Sequence, residues 1–151
     1  MSQRRTDLLV YGAGVALLIA FAALVYRAQR PVEGVVPIAW DQATCAHCRM
    51  HISAPPFAAQ LHTSVGEVLN FDDPGCLLSW AEDHPHERPR QIWFRHHQEA
   101  RWLSESEVSF APAQETPMGF GLAAVEAGHP GALSLEAAQA QLAAAQPKER
   151  R

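Results

Sequence analysis

Residues 8–26 hold no charged side chain and are built from Leu, Ala, Val, Ile, Gly and aromatic residues. No other stretch limits the fold so strongly. It sets a short apolar segment apart from roughly one domain of ordinary sequence in a chain of 151 residues. As a helix rising about 1.5 Å per residue, the run covers roughly 28 Å, close to the hydrocarbon thickness of a bilayer. Tyr11 and Tyr26 stand near its two ends, where aromatic rings favour the membrane interface. Two readings follow. Residues 1–28 form a single transmembrane anchor, or they form a signal segment with Arg4 and Arg5 as its positive leader and a small-x-small site at Ala20-Phe21-Ala22. The apolar run continues through Ala23-Leu24-Val25-Tyr26, which favours retention as an anchor. Arg27 and Arg30 balance Arg4 and Arg5, so charge sets orientation only weakly. The expected arrangement is a single pass through the inner (cytoplasmic) membrane, with the soluble domain in the periplasm.

Of the 12 basic and 16 acidic residues, Arg4, Arg5, Arg27, Arg30 and Asp7 lie in or beside this segment. The rest of the chain keeps 8 basic against 15 acidic side chains, a net charge of −7. Nucleic acid demands a basic face, so it is excluded as a partner, whereas a cation is a compatible one. Hydrophobic residues make up 48% of the chain, which is enough for a packed core. Three cysteines, Cys45, Cys48 and Cys76, cannot all pair within one chain, so an exported domain keeps at least one free thiol.

Residues 29–37 carry two prolines and a glycine and read as a linker to a domain over residues 38–146; residues 147–151 read as a flexible tail. Within the domain, residues 57–63 alternate, with Phe57, Ala59 and Leu61 on one face and Gln60 and His62 on the other. Ser64-Val65-Gly66 turns this strand onto residues 67–71 as a hairpin. Asp73-Pro74 then predicts a helix, with Asp73 as its N-cap and Pro85 beyond its end. Cys76 falls in the first turn, either as a small residue packing the helix on the sheet or as a thiol favoured by the helix dipole. Residues 84–90 form a polar loop. Residues 91–97 and 100–103 predict a second hairpin, and Val108 and Phe110 one more strand. His96 and His97 would point to opposite faces of a strand and could not share an ion. Ser134 caps a predicted helix over residues 135–146, with Leu135, Ala138 and Leu142 as its apolar stripe.

The chemistry is concentrated in Cys45-Ala46-His47-Cys48-Arg49-Met50-His51, where two thiols, a thioether and two imidazoles share seven residues. Thiolate and thioether sulfur favour Cu(I), thiolates also suit zinc and iron–sulfur clusters, and imidazole suits several metals. Apart from Met1 the chain has only two methionines, Met50 here and Met118 in the Gly/Pro-rich turn Thr116-Pro117-Met118-Gly119-Phe120-Gly121. The competing readings of Cys45-x-x-Cys48 are a disulfide and the redox dithiol of a thiol–disulfide oxidoreductase. A redox dithiol should follow a buried strand and open a helix, and residues 37–44 and 52–56 fit neither demand. A structural zinc site wants four closed ligands, and the chain has no second paired-cysteine motif. No nucleophile and base arrangement points to an enzyme.

Three elements occur in order: Cys48-Arg49-Met50 within the Cys pair, Phe71-Asp72-Asp73-Pro74-Gly75-Cys76, and the Thr116 to Gly121 turn. Together they resemble the NosL family of copper-binding accessory proteins, over residues 44 to about 124. The resemblance implies an α+β fold of two similar strand-and-helix (ββα-type) halves, like that of organomercurial lyase, here behind a single N-terminal transmembrane helix. It implies Cu(I) as the bound ion and Cys48, Met50 and Met118 as its ligands; by donor chemistry alone, Cys45, Cys76, His47 or His51 read as supplements. The implied partner is a copper-accepting enzyme such as nitrous oxide reductase. Family members are usually lipoproteins tethered through a cysteine; no cysteine precedes Cys45 here, and the apolar run stands as the substitute tether.

Overall fold

The computed structural model describes residues 3–28 and 32–145, with side chains from Tyr11 to Arg27 and from Val32 onward. Residues 29–31 of the expected linker, Gln146 of the expected last helix and the expected tail lie outside the described residues. The chain divides into two units between Glu33 and Gly34.

The first unit is one helix, α1 (Gln3–Ala28). Leu17, Leu18 and Ile19 are successive residues and all exposed, so the apolar surface runs round the helix instead of forming a stripe. Among the described residues, no helix is long and apolar enough to cross a membrane. The expected transmembrane helix is therefore met as a helix and not as a span.

The second unit is α+β. Strand β1 (Ala59–Thr63) turns at Gly66 onto β2 (Val68–Phe71), with Ala59 opposite Phe71 and Leu61 opposite Leu69. Helix α2 (Pro74–Asp83) follows directly. Strands β3 (Pro89–Arg95) and β4 (Trp102–Ser104) form a second hairpin, and β3 pairs antiparallel with β1, giving a four-stranded sheet in the order β2-β1-β3-β4. Strand β5 (Val108–Pro112) pairs with β6 (Leu122–Glu126) as a separate two-stranded sheet, and α3 (Leu135–Ala145) closes the unit. The expected pair of equal halves is thus only partly met. β1-β2-α2 and β5-β6-α3 are each ββα, but the β3-β4 hairpin between them joins the first sheet.

Strand β1 departs from the expected alternation, because all five of its residues are buried. It is an inner strand, and residues near Val36 cover its polar face. The Gln60 amide donates from Nε2 to the Val36 carbonyl (2.9 Å) and to Asn70 Oδ1 (2.7 Å). Its Oε1 accepts from the Val36 N–H (2.8 Å) and lies 2.9 Å from His62 Nε2. Every donor and acceptor of the side chain is used, which is what lets a Gln sit fully buried.

The two sheets meet where Phe94 of β3 lies edge-on to Phe110 of β5, ring centroids 5.0 Å apart, both wholly buried. Leu135, Ala138 and Leu142 of α3 supply the rest of that side of the core, as their spacing predicts, and Ser134 Oγ accepts from the Ala137 N–H at the start of the helix. The turn between β5 and β6 reaches the start of α2. A Cβ on Gly75 would lie 2.1 Å from Cγ of Phe120, so only glycine admits that ring.

Two stability changes follow. Phe110→Ala opens a cavity at the junction of the sheets and should lower the unfolding free energy by about 3–5 kcal/mol in urea titration. Gly75→Ala forces Phe120 off α2 and should cost about 1–3 kcal/mol by overpacking, read as a lowered Tm with the circular dichroism of the folded state retained.

Candidate metal centre

The stretch 45–51 forms a closed loop. Thr44 and His51 face each other as an isolated antiparallel bridge, the Cys45 N–H bonds to the Met50 carbonyl at 2.8 Å, and the Arg49 N–H to the Cys45 carbonyl at 3.1 Å. This last bond winds residues 45–49 into a single turn of helical type, in which positions three apart share a side. Arg49 takes φ 66°, a left-handed conformation that few side chains adopt, and it reverses the chain before Met50. The loop is docked on the end of β2 by the Ala46 N–H, which donates to the Asn70 carbonyl at 2.9 Å.

Two residues past β2 the chain enters α2. Asp73 has extended backbone, and its Oδ1 accepts from the Gly75 N–H at 2.8 Å, the N-cap expected from the sequence. Cys76 is held in the first turn and faces the docked loop. The sulfurs of Cys45, Cys48 and Cys76 all lie within 4.8 Å of one another, and all three are free thiols. Cys45 and Cys76 are wholly buried, while Cys48 is half-buried and gives the cluster its opening.

The cluster is electrically asymmetric. The Cys76 thiol donates to Cys45, and the backbone N–H groups of Asp72, Cys48 and His47 add to it, so the Cys45 thiol is held down at about 4 although burial opposes this. The same bond, then burial, pushes the Cys76 thiol up. Burial chiefly pushes Cys48 up. Their mutual bond thus favours the thiolate form at Cys45 and the protonated form at Cys76. Both neighbouring aspartates are raised, first by burial and against the N–H bonds they accept.

The remaining candidates sit at graded distance from this cluster. Met50 is 56% exposed on the far side of Arg49, so it does not share an inward face with Cys48 as an extended chain would have had it. His47 is half-buried and His51 exposed; no imidazole joins the cluster of three or more ligand groups found among the described residues. Met118 is half-buried against the core, and its N–H donates to Asp73 Oδ2 at 3.2 Å, which fixes its main chain three residues before Cys76. Cys76 is the buried packing residue weighed from sequence, and its sulfur also stands in the thiol cluster. The second bond of Asp73 was not visible in sequence; the only signal was the pair of glycines flanking Phe120.

Two of the histidines elsewhere share one carboxylate. His96 Nδ1 accepts from the N–H groups of Gln98 and Glu99, so its Nε2 carries the proton toward Glu126 at 3.0 Å. His129 Nδ1 lies 3.1 Å from the other oxygen of the same carboxylate.

No family model and no curated protein matches the sequence. Among solved structures, the crystal structure of the copper chaperone NosL from Shewanella denitrificans is similar to this chain, with a TM-score of 0.52 and 17% identity, over 76% of this chain and 89% of that one. The α+β fold implied by the resemblance of residues 44–124 is found, with its two ββα halves only partly alike, and it is similar to the fold of that protein.

Proposed function

We propose that this protein is a Cu(I)-binding accessory protein that hands copper to a copper enzyme, with nitrous oxide reductase as the acceptor. The observation that carries the reading is the set of three free thiols within 4.8 Å, on a fold similar to a copper chaperone's. Three sulfur donors in an apolar setting suit a soft monovalent cation. Zinc would want a fourth ligand, and no histidine or carboxylate stands with the three sulfurs among the described residues.

In this reading Cys45 and Cys76 form the buried floor of the site and Cys48 its accessible ligand. Met50 and Met118 are neutral soft donors that complete the coordination or take over during exchange, and His47 and His51 are supplements. No covalent bond is made to a substrate carbon. Copper is cargo, and it leaves by stepwise ligand exchange as the acceptor's ligands enter at Cys48. The uncharged run at residues 8–26 supports a single-pass tether to the inner membrane, which would keep the domain at the periplasmic surface.

The redox reading is disfavoured by the same geometry. In a thiol–disulfide oxidoreductase the low-pKa cysteine of C-x-x-C is the accessible nucleophile. Here that thiol is Cys45, which is wholly buried.

Titration of the reduced full chain with Cu(I) against a chromophoric chelator tests the proposal. Cys48→Ser and Cys76→Ser should each weaken binding by more than about tenfold, and Met50→Ala and Met118→Ala by less but measurably. Unchanged Cu(I) affinity in all four, or disulfide reduction lost only with Cys45→Ser or Cys48→Ser, would sink it. Separately, expression of the full chain and of a version lacking residues 1–28 should put the first in the membrane fraction and the second in the soluble fraction; equal partitioning removes the tether.

A further inference from the structure

Asp73 uses its two carboxylate oxygens on two different segments. Oδ1 accepts from the Gly75 N–H at 2.8 Å and caps α2, the helix that carries Cys76. Oδ2 accepts from the Met118 N–H at 3.2 Å, and the Thr116 side chain hydrogen-bonds to the same carboxylate. The side chain is fully buried, so these bonds do not compete with water. Gly75 and Phe120 close the contact two residues further along each segment. Thr116 Oγ1 in turn accepts from the Gly121 N–H at 3.2 Å, which ties the two ends of the turn together.

From this we infer that Asp73 is a positioning residue for the copper site: it latches the turn 116–121 onto the start of α2, so that the thioether of Met118 is presented to an ion held by Cys45, Cys48 and Cys76. The inference rests on the copper-binding function proposed above. Asp73 touches no metal itself; it acts through the main chain of Met118. Its double use also explains why an ordinary N-cap would not serve. Serine or threonine can cap the helix, but neither has a second oxygen with which to accept from the turn.

Asp73→Asn separates the two jobs. Asparagine is as good an N-cap as aspartate, so the bond to Gly75 survives, while an amide NH₂ replaces Oδ2 and meets the Met118 N–H donor to donor. In the metal-free full chain, amide hydrogen exchange over residues 116–121 should become about tenfold faster, the loss of one hydrogen bond, with exchange in α2 unchanged. Cu(I) affinity, by competition with a chromophoric chelator, should fall by about tenfold. In a Met118→Leu background the same substitution should change affinity by less than about twofold, because the side chain it positions is gone.

Unchanged exchange over residues 116–121 overturns the latch. Equal affinity losses in the two backgrounds overturn the link to Met118 and leave Asp73 a residue of general stability. A wild-type chain that takes no Cu(I) overturns the proposed function itself, and the metal-free exchange still decides the latch. Should Asp73→Asn fail to fold by circular dichroism, Asp73→Ser keeps a cap for α2 and removes the oxygen that accepts from Met118. It is read by the same two measurements, with the same outcomes expected and the same outcomes overturning.

Discussion

The junction between β2 and α2 holds this domain together, and it does so with two consecutive carboxylates. Asp72 turns back to the first motif, accepting from the N–H of Ser53 at 3.2 Å and from that of Ala54. Asp73 turns forward to the last, accepting from Met118. Both side chains are buried, and burying an unpaired carboxylate costs several kcal/mol. The arrangement is stable only if all three segments are in place at once. Residues some 20 and 45 positions away in sequence are thereby fixed on either side of one helix turn.

That junction sets where the sulfurs meet. The loop 45–51 is held from one end by the Ala46 bond to Asn70 and from the other by the Ser53 bond to Asp72, while Cys76 rides on the helix capped by Asp73. The thiol cluster is therefore a product of three attachments to one short stretch. Its internal chemistry follows from burial. The thiolate form is favoured at Cys45 because Cys76 and three backbone N–H groups hydrogen-bond to it, and further negative charge there is opposed by the apolar surroundings. Under the proposed function, a soft monovalent cation would replace the shared proton and balance charge where water cannot.

Much of this was legible in the sequence because it is local. Asp73-Pro74 announces a helix start by capping chemistry that needs no tertiary contact, and Ser134 does the same for α3. The hairpin at Gly66 follows from turn chemistry and alternation. What escaped depends on distant partners. Gln60 and His62 read as outward-facing, yet they are buried because Val36, 24 residues earlier, occupies the Gln60 amide. Strand β6 is Leu-Ala-Ala-Val-Glu, with neither the β-branched content nor the alternation that marks a strand, and it exists because β5 pairs with it. Cys76 joins the other thiols through docking that its own neighbours in sequence do not encode.

The loop itself shows how one backbone angle sorts ligands by access. In an extended Cys48-Arg49-Met50 both sulfurs would face the same way. With Arg49 at φ 66°, the turn of helical type that gathers Cys45 and Cys48 ends, and Met50 leaves on the solvent side. Under the proposed function, an ion held only for structural purposes would gain nothing from a soft donor placed outside the three thiols. Chain reversal at a non-glycine residue is also strained, by about 1–2 kcal/mol for a left-handed L-residue. Under the proposed function, the exposed thioether, the half-buried thiol and the two buried ones would form a graded series from solvent to core along which an approaching acceptor exchanges ligands.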